Sequence, residues 1–216
     1  MFEDLFDEKQ SLNNFVSKIF YINLDSRIDR NKHMIKCFNE LNIHAKRFNA
    51  IHTSKQVRGC NQSHLEIIKI AKKQCYNNIC IFEDDCYFDQ DFNSYLDSIF
   101  INDIDWDMIF LGHCFSQTKK PYNDLLYSMA NIYCTHAYCI NNSMYDTLIT
   151  YLEGLRHLAI DHIYNNINRQ QKFKILAVYP SIVKQVPNKS DIGEGPNNST
   201  NEISYDHSVY YLRRTT

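Results

Sequence analysis

Nothing in the sequence points to a membrane or to nucleic acid. No segment comes near the roughly 20 consecutive apolar residues that a transmembrane helix needs, and residues 1–5 are too acidic for a signal peptide. The 23 lysines and arginines are balanced by 25 acidic residues, and no basic stripe or polybasic arm stands out. We therefore expect a cytoplasmic protein that binds neither nucleic acid nor a membrane surface.

Glycine-rich phosphate loops and zinc motifs are also missing. Neither G-x-G-x-x-G nor G-x-x-x-x-G-K-[ST] occurs, which weighs against Rossmann dinucleotide binding and P-loop binding. The G-x-S-x-G nucleophile motif is absent as well. Eight cysteines occur without a C-x-x-C pair, and several lie in apolar runs, where a thiol packs as a small hydrophobic group. We predict that all eight are reduced, as in a reducing compartment.

The 216 residues are enough for one domain with a three-layer core. Apolar, β-rich runs alternate with segments whose apolar residues recur at helical spacing. Strands are predicted, in chain order, at 18–24, 45–51, 78–82, 106–111, 132–140 and 173–179. Helices are predicted to begin near Ser26, Ser63, Phe92, Ser143 and Asp161. This alternation predicts an α/β sandwich with a largely parallel central sheet.

The most informative feature is a run of three carboxylates, Glu83, Asp84 and Asp85, directly after the predicted strand 78–82 and with no basic residue beside them. In open α/β sheets, ligands bind at the carboxyl ends of the strands. Because side chains alternate along a strand, we expect Glu83 and Asp85 on one side and Asp84 on the other. Two such oxygens suit a hard divalent cation that also binds phosphates. The alternative is an acidic turn with a helix cap.

Five further residues carry weaker signals. Arg27 and Arg30 follow the first strand at a predicted helix N-terminus, where they either reinforce an anion site or form a solvated basic face. His64 is a candidate for contact with phosphate or ribose, or else a structural histidine. Asp161 is a candidate general base, or else a helix N-cap. His207 is a late candidate metal ligand.

Several motifs, in order along the chain, resemble glycosyltransferase family 25, which includes bacterial lipooligosaccharide galactosyltransferases and procollagen galactosyltransferases. Residues 20–27 with Arg30 look like the opening of that family. Residues 59–64 are similar to its second block, and residues 81–85 resemble its acidic metal motif. Weaker similarities follow in family order at 106–112, 135–138, 160–162, 179–185 and 190–192.

The resemblance implies a GT-A-type, Rossmann-like α/β/α sandwich in a single domain, 1–216. Residues 17–112 would form its nucleotide-sugar-binding half, and residues 113–216 its acceptor half. The stretch 185–204, rich in Asn, Ser, Gly and Pro, is either a disordered tail or a mobile loop that closes over the donor.

The resemblance also implies roles for individual residues. Mn²⁺ (or Mg²⁺), held by Glu83 and Asp85 with His207 as a further candidate ligand, would bridge the donor diphosphate. Asp161 would deprotonate the acceptor hydroxyl, which gives inversion at the anomeric carbon. The residues that would contact the nucleotide sugar are Asn23, Leu24, Asp25, Arg27, Arg30, Ser63, His64 and Asp84.

The expected function is transfer of a hexose, galactose or glucose, from a UDP-sugar to a hydroxyl group of a glycan or protein. One alternative is a catalytically silent nucleotide-sugar-binding domain of the same fold. The acidic triplet argues against it, since adjacent carboxylates destabilise one another without a compensating cation. Another alternative is a Mg²⁺ phosphatase, which needs an aspartate nucleophile, a nearby acid and a phosphate-binding lysine.

Overall fold

The computed structural model describes residues 11–100, 104–114 and 119–185. These residues form a central sheet with helices on both faces. The strands are β1 Lys18–Asn23, β2 Ala45–Asn49, β3 Asn78–Glu83, β4 Cys86–Phe88, β5 Met108–Gly112, β6 Lys119–Pro121, β7 Leu126–Met129, β8 Ala137–Asn141, β9 Ile175–Val178 and β10 Val183–Gln185. The helices are α1 Leu12–Phe15, α2 Ile28–Glu40, α3 Gln56–Lys73, α4 Phe92–Phe100, α5 Tyr145–Gly154 and α6 Ile160–Asn168.

Eight strands make up the central sheet, in the order β2-β1-β3-β8-β5-β9-β7-β6. Strand β1 is parallel to β2 and β3, and β5 is parallel to β9. Strand β8 is antiparallel to both β3 and β5, and β7 is antiparallel to β9 and β6. All strands of this sheet except β7 and β8 therefore run in one direction. Strands β4 and β10 form a small antiparallel sheet of their own.

Side-chain alternation along the strands divides the apolar core into two parts. Ile19 and Tyr21 pack with residues of α1, α2 and α4 on one face of the sheet. Phe20 and Ile22 pack with residues of α3, α5 and α6 on the other face. A fully buried side chain of this size contributes about 1.5–3 kcal/mol by leaving water. The three-layer α/β/α sandwich predicted from the sequence is confirmed.

Three helix starts differ from the prediction. Helix α5 begins at Tyr145 and not at Ser143, because a turn of 3₁₀ helix, Asn142–Met144, precedes it. Helix α2 begins at Ile28 with Arg27 as its N-cap and no side-chain cap, so the predicted start at Ser26 is wrong. Helix α3 begins at Gln56, which places residues 59–64 inside the helix. A glycine within a helix usually indicates a break, but here Gly59 permits close packing, because a Cβ at this position would lie 2.4 Å from the carbonyl oxygen of Ile51.

The short strands of the sheet edges were not predicted. Strands β6 and β7 lie between the predicted strands 106–111 and 132–140, in a stretch for which no strand is predicted. Strand β8 begins at Ala137, five residues later than the predicted 132. Strands of three or four residues are too short to show the period-two alternation on which such a prediction depends.

Among the described residues, no helix combines the length and apolar character that crossing a bilayer requires.

The prediction that all eight cysteines are reduced is wrong for one pair. Cys114 and Cys134 form a disulfide across a Cα–Cα distance of 5.6 Å, although 20 residues separate them in sequence. Cys114 follows β5 and Cys134 precedes β8, and these two strands are neighbours in the sheet. The remaining six cysteines are free thiols.

Candidate functional site

A pocket of about 130 Å³ opens at the carboxyl ends of β1 and β3. The two parallel strands pair Ile22 with Glu83, so the acidic run lies beside the end of β1, where open α/β sheets bind ligands. The loop between β2 and α3 and the first half of α3 form the opposite wall. The predicted site residues that line this pocket are Leu24, Arg30, Ser63, His64, Glu83, Asp84 and Asp85.

Asp84 is the most buried of the three acids and is held by two donors. Its Oδ1 accepts from Arg30 Nη1 at 2.9 Å, and its Oδ2 accepts from Asn23 Nδ2 at 2.7 Å. Asn23 is in turn held by Arg47, whose Nε donates to Asn23 Oδ1 at 2.9 Å. The sequence places no base beside the acids, but α2 brings the guanidinium of Arg30 to them. Asp84 therefore joins β3 to β1 and α2.

The carboxylate of Asp85 has longer polar contacts than that of Asp84. Its Oδ2 is 3.6 Å from Arg30 Nη1, and its Oδ1 accepts from Gln185 Nε2 at 3.4 Å. The pKa of Asp85 is raised to about 7, and burial is the main cause. The charge of Glu83 raises it as well, and the charge of Arg30 offsets only part of the increase. Strand β3 ends at Glu83, so side chains no longer alternate between the two faces of the sheet after that residue. The prediction that Asp84 and Asp85 lie on opposite sides is therefore wrong, because both contact the guanidinium of Arg30.

Glu83 faces the opposite side of the pocket, toward α3. Its Oε1 accepts from Thr135 Oγ1 at 3.0 Å and lies 3.5 Å from His64 Nε2. Burial raises the pKa of Glu83, but the contact with His64, the charge of His136 and the Thr135 hydroxyl together hold the pKa below its ordinary value. We therefore treat Glu83 as ionised at neutral pH.

His64 is fixed in orientation by a chain of hydroxyl groups. Its Nδ1 lies 2.7 Å from the Tyr138 hydroxyl, which lies 2.9 Å from the Tyr164 hydroxyl. Sequence reasoning did not identify Thr135 or Tyr138 as site residues. Their only signal was the weak family similarity at 135–138, because β8 reaches β3 from more than 50 residues along the chain.

The predicted nucleotide contacts Asp25, Arg27 and Ser63 are engaged within the protein. Asp25 is exposed and accepts from Arg47 Nη2 and Asn49 Nδ2, both at 2.7 Å. Arg27 forms an ion pair with Asp29 at 2.9 Å. Ser63 Oγ donates to the Gly59 carbonyl and accepts from the Ile51 amide at 2.9 Å, which fixes the loop before α3.

Asp161 does not line the pocket but lies near it. The N-cap of α6 is Ala159, so the N-cap alternative for Asp161 is wrong; Asp161 is in the first turn and its Oδ1 accepts from the His162 amide at 2.8 Å. Burial raises the pKa of the Cys60 thiol well above its ordinary value, and the charges of Glu83 and Asp161 raise it further. Asp161 thus acts electrostatically on a pocket residue.

His207 and residues 186–204 lie outside the described residues.

We expect Arg30→Met to destabilise the fold by about 3 kcal/mol, because it leaves Asp84 as a buried charge without its guanidinium partner. Urea denaturation at pH 7 measures this free energy of unfolding. Arg27→Met is the matched control, since its partner Asp29 is 64% exposed and such pairs contribute about 0–1 kcal/mol. Equal losses in the two variants would contradict a buried ion pair at Asp84.

Comparison with known proteins supports the fold. No family model and no curated protein matches the chain. Among solved structures, a glycosyltransferase involved in the glycosylation of the major capsid of PBCV-1 superposes with a TM-score of 0.51 at 10% identity, over 80% of this chain and 96% of that chain. The 4-diphosphocytidyl-2C-methyl-D-erythritol synthase of Anaerococcus prevotii gives a TM-score of 0.45 at 12% identity, over 81% and 75% of the two chains, which is too low to carry an argument. At 10% identity the first of these superpositions shows the fold alone, and that fold is of the predicted GT-A, Rossmann-like type.

Proposed function

We propose that this protein is a cation-assisted glycosyltransferase that moves a hexose, galactose or glucose, from a UDP-sugar to a hydroxyl group of a glycan or protein. One observation carries the proposal: three carboxylates share a pocket at the carboxyl edge of a GT-A-type sheet. Arg30 is the only lysine or arginine among the described residues that line it. The family 25 resemblance of the sequence supports the same reading.

The residues present fit a divalent cation. The pKa of Asp85 is raised to about 7, first because burial disfavours the charged carboxylate and then because Glu83 is close, and Arg30 does not offset the two effects. Glu83 and Asp85 would hold Mn²⁺ or Mg²⁺, both of which prefer oxygen ligands, and His207 stays a candidate ligand. When bound, the cation would stabilise the negative charge that develops on the departing nucleoside diphosphate.

The wall opposite the acids suits a nucleoside. Leu24, Ala50 and Ile51 contribute apolar surface to the pocket, against which a base and ribose could pack while Asn23 and Asp25 mark the end of β1. Arg27 and Arg30 both already pair with carboxylates. We therefore propose that Arg30 positions the acidic run. Its positive charge would also offset part of the negative charge that a bound diphosphate meets.

Asp161 is the proposed general base. Helix α6 is tied to the pocket wall because Asn61 Nδ2, on α3, donates to the Leu158 carbonyl at 2.6 Å, just before α6 begins. A positioned carboxylate that accepts the proton of the attacking hydroxyl accelerates such a step by about 10²–10⁴-fold. Residues 113–216 would supply the acceptor side.

Thermal unfolding with UDP, with a panel of UDP-sugars, with Mn²⁺ and with chelator tests the donor site. We expect stabilisation only when nucleotide and Mn²⁺ are both present, by about 2.7 kcal/mol at 100 times the dissociation constant. The sugar that gives the largest shift identifies the donor. Absence of a shift with every nucleotide would contradict the proposal. A shift without turnover on any glycan or protein acceptor would instead favour the catalytically silent domain.

A further inference from the structure

A second set of ligand atoms converges on the α3 side of the pocket. Cys60 and His64 are four residues apart on α3, so both side chains lie on one face of the helix. That face looks toward Glu83 at the end of β3, and the Cys60 sulfur, a His64 ring nitrogen and a Glu83 oxygen all lie within 4.8 Å of one another. The separation of His64 Nε2 from Glu83 Oε1 is 3.5 Å. Two ligands each about 2.1 Å from a tetrahedral ion are about 3.4 Å apart.

The orientation of His64 is that of a metal ligand. The residue is 1% exposed, and its Nδ1 is held by the Tyr138 hydroxyl, which directs Nε2 toward Glu83. The Nε2 atom is buried, and at 3.5 Å from Glu83 Oε1 it makes no hydrogen bond of ordinary length. Leaving such an atom unsatisfied costs about 1–3 kcal/mol, whereas metal-bound histidines characteristically have the second ring nitrogen fixed by a neighbouring polar group.

We propose that Cys60, His64 and Glu83 form a site for a borderline-soft divalent cation of the Zn²⁺ class, with a fourth position open to the pocket. Thiolate and imidazole ligands favour Zn²⁺ and Co²⁺, whereas Mn²⁺ and Mg²⁺ favour oxygen. This site shares Glu83 with the one proposed at Glu83 and Asp85, but its thiolate and imidazole ligands select a different class of cation, and it requires no nucleotide. A cation here would join α3 to the end of β3.

The chain contains a matched pair that lacks the third ligand. On α2, the Cys37 sulfur lies 3.7 Å from His33 Nε2 at the same four-residue spacing. That nitrogen is already occupied, because it donates to the Cys86 carbonyl at 2.8 Å, and no described carboxylate completes the set. A second cluster, Cys114, Cys134 and His136, has its two sulfurs joined in a disulfide.

Titration of the full chain with Co²⁺, without nucleotide or reductant, tests the proposal. We expect one equivalent to bind with tetrahedral visible bands and a thiolate-to-cobalt charge-transfer band, and one equivalent of Zn²⁺ to displace it. Cys60→Ser should remove the charge-transfer band. His64→Gln removes a ligand, so it should weaken Co²⁺ binding by at least about 100-fold, the upper end of the loss caused by removing a residue outside the ligand shell. Cys37→Ser should leave both spectrum and affinity unchanged. Circular dichroism and the urea midpoint verify that each variant is folded.

Three results would overturn the proposal: no thiolate band in the unsubstituted protein, a band that survives Cys60→Ser, or a band lost in Cys37→Ser. Should Cys60→Ser fail to fold, the loss of affinity in folded His64→Gln decides. The readout is independent of UDP-sugar chemistry. Asp85→Asn should retain the Co²⁺ band even if the Mn²⁺-dependent response to UDP is lost, so failure of this site and failure of the donor site are distinguishable.

Discussion

Asp85→Asn is expected to abolish the Mn²⁺-dependent response to UDP and to lower turnover by at least about 10³-fold, because it removes a carboxylate ligand of a cation that contributes several kcal/mol. Asp85 is the acid least compensated by the protein, with Arg30 at 3.6 Å and Gln185 at 3.4 Å as its partners. Isothermal titration with UDP and Mn²⁺, together with a transfer assay, measures both effects.

The same substitution should stabilise the cation-free protein at alkaline pH. The pKa of Asp85 is raised from 3.8 to about 7 in the folded chain, so between pH 4 and 7 the folded state binds more protons than the unfolded state. The free energy of unfolding therefore falls as pH rises through that window and stays low above pH 7. The asparagine side chain carries no charge, so we expect a gain of up to about 4 kcal/mol at pH 8, which is the free energy that the pKa shift corresponds to, and almost none at pH 4. Urea denaturation at the two pH values, with chelator, measures the difference.

Asp84→Asn is the neighbouring control. Asp84 is held by Arg30 and Asn23 in a buried pair, so its neutralisation should destabilise the fold at pH 8, where Asp85→Asn stabilises it. Asp85→Asn would then be more stable but less active than the unsubstituted protein. This combination is typical of active-site residues that destabilise the fold but are needed for activity. Retention of the full Mn²⁺-dependent UDP response in Asp85→Asn would remove this residue from the cation site.

The acidic edge could be predicted because its signal is local. A buried apolar run followed directly by Glu83, Asp84 and Asp85 defines both the strand and its carboxyl end within eight residues, and the sheet then brings β1 beside it. The compensating charge could not be predicted in this way, because Arg30 and Asp84 are separated by 54 residues. The disulfide and the contact of Thr135 with Glu83 also join residues far apart in sequence. Both form because β8 lies between β3 and β5 in the sheet, which the sequence does not show.

The start of α3 shows a different limit. Glycine and a following Ser-x-x-Glu pattern are ordinary signs of a helix N-terminus, and both occur at residues 59–66. In the structure, Gly59 is needed for contact with the Ile51 carbonyl, and Ser63 bonds back to the turn before it. The sequence shows that Cys60 and His64 are four residues apart, as on one face of a helix. It does not show that Glu83 lies next to that face, so the three residues could not be grouped from the sequence.

Asp161→Asn is expected to leave Mn²⁺-dependent UDP binding intact and to slow sugar transfer by about 10²–10⁴-fold, because the amide cannot accept the proton of the acceptor hydroxyl. Asp161 lies outside the donor pocket lining, which is why donor binding should be preserved, yet its charge acts on Cys60 within that lining. Single-turnover transfer rates at saturating donor separate the chemical step from donor affinity.

Asp146 provides a matched control for a purely structural role. It occupies the first turn of α5 as Asp161 does that of α6, each one residue after the first helical position and each without a side-chain N-cap before it. An acid there stabilises a helix N-terminus by about 0.3–1 kcal/mol. Asp146 also forms an exposed ion pair with Lys72, which contributes about 0–1 kcal/mol. Asp146→Asn should therefore lose as much stability as Asp161→Asn or slightly more, while only Asp161→Asn loses transfer. If the two variants kept equal transfer rates, Asp161 would act only on the dipole of α6, and the base would have to lie elsewhere on the acceptor side.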